Sequence, residues 1–433
     1  MTARYDSTKF NKSHELHKRA LKSIPLASQT FSKSAMNTVE GAAPLFLDRG
    51  RGGYAWDVDD NRYVDYILAL SPILLGYCDP DVDAAIRVQL DRGITFSLAT
   101  ELESELAERL IRLIPCAEMV RFGKNGSDAT SAAIRLARAF TGRDHIALCG
   151  YHGWHDWYIG TTSRHLGVPN SVRELSKSFA FNDLASLEAE FANHGDRFAA
   201  VILEPEGVTS PDPEFLKGLR ELTDAHGVIL VFDEIVTGFR VHIGGAQAKY
   251  GVTPDLACFG KAMGNGMPIS AIVGRRDVMR LMEDIFFSGT FGGEALSLAA
   301  AIATIDKVEA TDTIGHIHRI GERLRAGAIS ALQDHGLKQR FEISGPSWRP
   351  VVAAKDCEVT SSIAFSLLMQ ELIDNGVLMG AGFNLCLAHD DSLVDETLYS
   401  WTKACDAVAA AFNDLDPSRH LRGKPIEPIF RVR

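Results

Sequence analysis

Between Met119 and Val273 short, nearly uninterrupted apolar runs alternate with amphipathic stretches. The runs are Met119–Phe122, His145–Leu148, Ala199–Leu203, Val228–Phe232, Leu256–Phe259 and Ala271–Val273. Ser127–Phe140 and Pro213–His226, which lie between runs, carry apolar residues at helical spacing instead. Strands covered on both faces read as continuous apolar runs, and helical crossovers are what join parallel strands. The pattern predicts an α/β fold whose large domain is a mostly parallel, mixed sheet flanked by helices.

The flanks have a different texture. Gly53–Asp59 and Arg62–Ile67 alternate apolar and polar positions around Asp59-Asp60-Asn61, a hairpin signature. Asp81–Arg92 and Leu102–Ile114 have helical periodicity, and Pro115 closes the second. Ala295–Val308 and Thr313–His335 read as long helices. Beyond them, expected strands (Phe341–Ile343, Val351–Ala353, Asn384–Leu387) mix with expected helices (Ser361–Asn375, Val394–Asn413), which makes a smaller α+β domain. The expected division is an N-terminal arm and hairpin over 1–80 that packs with the small domain, a large domain over 81–320 and a small domain over 321–433.

Composition narrows the class. A chain of 433 residues with 46% hydrophobic and 23% charged residues is enzyme-sized and globular in texture. Lys+Arg 45 against Asp+Glu 56 gives a net charge of −11 without a long basic run, which argues against nucleic acid or an anionic membrane as partner. Seven scattered cysteines without a CxxC support neither a disulfide framework nor a zinc ribbon. They read as reduced thiols of a cytoplasmic protein, and no apolar stretch approaches the ~18 residues of a membrane span.

The candidate chemistry sits at the ends of the apolar runs. Val228–Phe232 runs into Asp233-Glu234, and 28 residues after Asp233 a lone lysine, Lys261, follows the Leu256–Phe259 run. Flanked by glycines and small residues, such an amine could act as a nucleophile toward carbonyls. Ile202-Leu203-Glu204 is a second strand that ends in acid. In open α/β sheets that edge is where ligands bind. Gly123–Ala129 lies between a strand and a helix; Gly126 permits a tight turn, and Ser127 can cap the helix while neighbouring N–H groups face an anion. The same residues also suit an ordinary capped turn. Gly150–Tyr158 gathers four aromatic rings and two histidines, and Tyr151 could stack on a planar ligand. Zinc is the rival use of His152 and His155, which have neither an HExxH motif nor a cysteine beside them.

Together these residues resemble the class III aminotransferases, fold-type-I enzymes that use pyridoxal 5′-phosphate (PLP). The resemblance runs from about Pro44 to Ala410 and is closest to the branch that includes glutamate-1-semialdehyde aminomutase. Its signature is Asp233-Glu234-Ile235-Val236-Thr237-Gly238-Phe239-Arg240, then Thr253-Pro254-Asp255-Leu256 and Gly260-Lys261. It implies that Lys261 forms the Schiff base with the cofactor and shuttles the proton. It further implies that Asp233 pairs with the pyridinium nitrogen, Ile235 packs under the ring and Tyr151 stacks over it. Gly126 and Ser127 would hold the phosphate, Glu204 would order the site near Asp233, and Thr290 would reach the phosphate of a neighbouring subunit, so a homodimer with shared active sites is expected.

Departures bear on the substrate. Thr161–Ser171 is shorter than the aminomutase's Gly/Ser-rich gating loop, which favours transfer to a second substrate. Gly293-Glu294-Ala295 replaces the family's GNP and places a carboxylate near the partner's pocket, where Glu294 either meets a substrate amine or hydroxyl or stands as a solvated interface acid. Ser71-Pro72-Ile73 replaces a more polar segment at the pocket entrance. The chain end Pro428–Arg433 resembles aminotransferases of carbohydrate pathways. The expected activity is transamination between an amino donor and the aldehyde or ketone of a small, sugar-like acceptor, with glutamate-1-semialdehyde 2,1-aminomutase as the alternative.

Overall fold

The apolar runs become the strands of one seven-stranded sheet. In sheet order they are Met119–Gly123, Ser270–Gly274, Leu256–Phe259, Ile229–Asp233, Phe198–Leu203, His145–Cys149 and Ser176–Ser178. The computed structural model describes residues 9–357 and 359–427. Ser270–Gly274 is antiparallel to both of its neighbours, and the remaining pairs are parallel. The four strands from Phe198 to Gly274 are buried at every position, which is why they carry no alternation. The helix Gly126–Thr141 lays Ala129, Ala132, Ala133, Ile134, Leu136 and Ala137 into the sheet's core beside Ile202, Val231, Cys258 and Ile272. Alanines on that face let the helix approach the sheet closely.

This register decides where the chemistry goes. Cys149 pairs with Leu203, Leu203 with Phe232, and Asp233 with Cys258, so the parallel strands end level with one another. The residues that leave those ends, Gly150-Tyr151-His152, Glu204, Asp233 and Gly260-Lys261, therefore emerge along one edge. Gly123 and Ser270, paired with each other, close that edge on the far side.

The chain divides into two compact units. One takes in Ser71–Leu74 and Pro80–Ile314; the other takes in the described residues up to Leu70, Leu75–Asp79, and those from Gly315 on. In the second unit the hairpin Tyr54–Asp57 with Arg62–Asp65 is joined by Leu47–Arg51, and on its other side by Val377–Leu378, parallel to Val64-Asp65. Phe10, Ala43, Tyr63, Ile373 and Leu378 form a core there. The strand expected at Asn384–Leu387 is absent. Leu385 and Cys386 are fully buried, but the backbone hydrogen-bonds irregularly, with Asn384 N–H on the Tyr66 carbonyl (3.0 Å) and Cys386 N–H on His389 Nδ1 (3.3 Å). An apolar run can be buried without joining a ladder.

Candidate active site

Asp233, the last residue of its strand, is buried and held at both carboxylate oxygens. The Ile235 N–H donates to Oδ1 at 3.1 Å, and His152 Nδ1 lies 2.8 Å from Oδ2. The other ring nitrogen of His152 faces the Cys149 carbonyl at 3.2 Å. The imidazole is itself fully enclosed, stacked on Trp157 and edge-on to Tyr158. A buried carboxylate needs such partners. Of the two histidines weighed as zinc ligands, His152 thus serves Asp233, whereas His155 Nδ1 meets Ser131 Oγ at 2.6 Å.

Glu234, one residue on, points the other way. Its carboxylate accepts the Ala246 and Gln247 N–H groups at 2.8 and 3.1 Å and the Thr237 hydroxyl, which ties down the start of the short helix Gly245–Tyr250. The acidic pair therefore splits into one acid at the sheet edge and one inside the scaffold.

Glu204 lies across from Asp233. Its Oε2 accepts the Tyr151 N–H at 2.9 Å, and Gly150, at φ +106°, leaves no room for a β-carbon, which would sit 2.7 Å from that oxygen. Burial pushes the Glu204 carboxyl above the ordinary glutamate range, and the nearby Asp233 adds to the shift; the Tyr151 N–H, His152 and Lys261 oppose it. The Tyr151 ring, half-exposed, stands edge-on to Tyr158 at 5.4 Å.

The turn before the Gly126 helix is built by reciprocal caps. Asn125 and Asp128 form a capping box, and Asp128 Oδ2 takes the N–H groups of Lys124 and Asn125 at 3.0 and 2.8 Å. Ser127 Oγ accepts the Trp154 N–H at 3.3 Å. Ile235 fills the space between Gly126 and Gly260; a β-carbon on either glycine would come within 3.2 Å of it. Lys261 follows Gly260 directly, with its backbone at φ +37°.

Seven of the expected residues, Gly126, Ser127, Tyr151, Glu204, Asp233, Ile235 and Lys261, thus share one edge through direct contacts, packing or mutual electrostatics. Thr290 sits beside the turn that leads into Gly126, on an exposed segment between Phe286 and Phe291. There it lines a cavity of about 320 Å³ with Phe122, Gly123, Lys124 and Asp128. Within its own chain Glu294 is committed to the scaffold. It caps the helix Ala295–Ala310, accepting from Leu296 N–H (2.6 Å) and Ser297 Oγ (2.6 Å), and pairs with Lys124 Nζ at 2.9 Å. Sequence reading did not foresee His152 as the partner of Asp233, since 81 residues separate them and no local spacing links them.

Comparison with known proteins decides the family. Residues 35–340 match Aminotransferase class-III. The chain belongs to the class III aminotransferases. It is 37% identical over 403 residues to a glutamate-1-semialdehyde 2,1-aminomutase of Roseiflexus castenholzii, covering 86% of this chain and 92% of that protein. It is 40% identical over 330 residues to a 3-aminobutyryl-CoA aminotransferase of Cloacimonas acidaminovorans, covering 74% and 78%. Among solved structures, the PLP-bearing FumI protein of Sphingopyxis sp. MTA144 superposes with a TM-score of 0.88 at 32% identity, covering 95% of this chain and 100% of that one. The fold is that of the fold-type-I PLP-dependent transferases, and the chain is a PLP-dependent transaminase.

The edge fits this cofactor on its own chemistry. Buried Asp233 and half-buried Glu204 put two carboxyls close together, and a pyridinium would relieve that excess of negative charge. The Ser127 hydroxyl and a helix N-terminus suit a phosphate. Gly126, Gly150, Gly153 and Gly260 keep β-carbons out of the space around these groups.

Proposed function

We propose that the enzyme moves an amino group between a small amine donor and an aldehyde or ketone acceptor, with Lys261 handling the proton and Asp233 the charge. When bound, PLP supplies an electron sink for the negative charge that builds on the substrate carbon. The observation that carries this reading is Asp233, buried at the strand edge and fixed at both oxygens by the Ile235 N–H and His152, at the same edge as Lys261. Held in this way, it would pair with the ring nitrogen without reorganising. Lys261 Nζ would hold the cofactor and then carry the proton to and from the substrate carbon. Ile235 and Tyr151 would enclose the ring, Gly126 and Ser127 would bind the phosphate, and Glu204 would fix Tyr151 through its backbone.

The segment 161–171 supports transfer over internal rearrangement. It is short and braced by local hydrogen bonds. Arg164 N–H donates to Thr162 Oγ1 at 3.1 Å, His165 Nδ1 lies 2.7 Å from the Thr162 carbonyl, and Val168 N–H reaches the His165 carbonyl at 3.0 Å. An aminomutase must retain its one substrate between half-reactions, and this braced stretch is poorly suited to gating. We further propose a cytoplasmic homodimer in which Thr290 serves the other protomer's phosphate. Phe286 and Phe291, exposed on either side of Thr290, support the second point, and the seven free thiols support the first.

A panel of donors tests the reading: simple amines, α- and β-amino acids, and amino sugars. A true donor bleaches the visible band of the yellow holoenzyme, and mass analysis identifies its product. Sugar-like acceptors lead the panel because of the chain end Pro428–Arg433, which lies outside the described residues; 3-aminobutyryl thioesters follow from the Cloacimonas relative. Turnover of glutamate 1-semialdehyde without a co-substrate would instead establish the aminomutase, and a panel in which no donor bleaches the band would count against transfer.

A further inference from the structure

The loop that carries Lys261 is held from outside by a strap that the proposed chemistry does not use. Lys261–Gly264 make one short 3-10 turn, with Lys261 at φ +37° and Asn265 at φ +42°. Residues other than glycine adopt such angles at a cost and keep them only where their surroundings insist. Ser71–Leu74 lies against the far end of this loop. Asn265 Oδ1 accepts the Leu74 N–H at 2.9 Å. Ile73 covers Gly266 so closely that a β-carbon there would sit 2.9 Å from Ile73 Cδ1.

Arg240 holds the strap as well. It is fully buried, and its Nη2 donates to the Ser71 carbonyl and reaches the Ile73 carbonyl at 3.5 Å. The strap begins in an unusual backbone: Leu68, Ala69, Leu70 and Ser71 run consecutively at φ +46°, +55°, +74° and +78°. Both clips come from the reactive edge. Arg240 closes the loop that starts at Asp233, and Asn265 closes the one that starts at Lys261.

We propose that Arg240 and Asn265 are positioning residues for transamination: they clip Ser71–Leu74 onto the lysine loop and so fix the backbone from which Lys261 reaches its substrate. The inference rests on Lys261 being the residue that moves the proton. A displacement of about 1 Å in such a group costs on the order of a hundredfold in rate, so a loosened loop should appear in kcat before KM.

The test uses the holoenzyme. Asn265→Gly keeps the left-handed backbone and removes the acceptor, whereas Asn265→Asp restores an oxygen at the same place. Asn265→Gly should raise amide exchange over residues 71–75 by about tenfold, the loss expected for one hydrogen bond. It should also lower kcat by about tenfold with little change in KM, and move the limb of the kcat–pH profile set by the lysine amine. Asn265→Asp should restore most of the exchange protection and most of kcat. Arg240→Lys, whose ammonium ends one bond short of the Nη2 position, should repeat the Asn265→Gly pattern and replaces it if that variant does not fold. Wild-type exchange in both Asn265→Gly and Arg240→Lys would overturn the clip. Raised exchange with an unmoved kcat and pH profile would overturn the positioning role. Lys261→Arg separates the two readings: if it keeps both the visible band and turnover, the lysine assignment fails whatever the clips do.

Discussion

A β-carbon on Gly153 would collide with Ser127, so its replacement by alanine tests whether Ser127 holds the cofactor phosphate. At φ +104° the residue lies where a side chain is strained, and its β-carbon would stand 2.2 Å from Ser127 Oγ and 3.0 Å from Ser127 Cβ. Left-handed backbone costs an alanine about 1–2 kcal/mol. Displacing Ser127 also breaks the bond its Oγ accepts from Trp154, worth a further ~0.5–1.5 kcal/mol. Gly142 provides the control, because it is also left-handed, at φ +67°, but has nothing within 4 Å of its β-position. Gly142→Ala should therefore show the backbone strain alone. In denaturant unfolding of the cofactor-free proteins, Gly153→Ala should be less stable than Gly142→Ala by about 1 kcal/mol or more. Loss of charge-assisted bonds to the phosphate, ~1.5–3 kcal/mol, should weaken PLP tenfold to about a hundredfold in Gly153→Ala only, read by absorbance titration. If Gly153→Ala binds PLP like wild type and is destabilised no more than Gly142→Ala, Ser127 does not hold the phosphate as argued.

Two acids give opposite responses to pH. The folded Glu204 carboxyl titrates above its unfolded range, first through burial and then through Asp233, so its contribution to stability is present below the ordinary glutamate range and is lost as pH rises through the raised value. Glu204→Gln keeps an acceptor for the Tyr151 N–H, so it should stabilise the cofactor-free protein near neutral pH and flatten that decline in a pH series of unfolding curves. At Glu294 burial pushes upward, but bonds from Ser297, Lys124 and the Leu296 N–H outweigh it and hold the carboxyl below the ordinary range. Its contribution is present above that range and lost as pH falls through the lowered value. Glu294→Ala should cost about 2–4 kcal/mol at neutral pH, through the lost cap and the stranded Lys124. The deficit should shrink in acid, and kcat should not change, because the residue serves the helix.

The sequence by itself determined six of the seven strands of the large sheet and the edge at which Asp233 and Lys261 leave them. Strands such as Phe198–Leu203 and Ile229–Asp233 are buried on both faces, and that environment is written locally as an unbroken apolar run. A polar residue ending such a run, as Asp233 and Lys261 nearly do, must emerge at the strand's end, which gave the edge before any geometry was known. Tertiary structure decided what those residues meet. Nothing in the spacing distinguishes Asp233 from Glu234, yet one is braced by His152 and the other caps a helix. Spacing left Glu294 open between a substrate contact and an interface acid, because the lysine it pairs with, Lys124, lies 170 residues away. Val377–Leu378 pairs with Val64-Asp65, and polar Ser176–Ser178 joins the sheet, while the apolar Asn384–Leu387 does not. Periodicity records the surroundings a residue needs on its own element. Which distant groups supply them depends on how strands close over one another, and that register exists only in the folded chain.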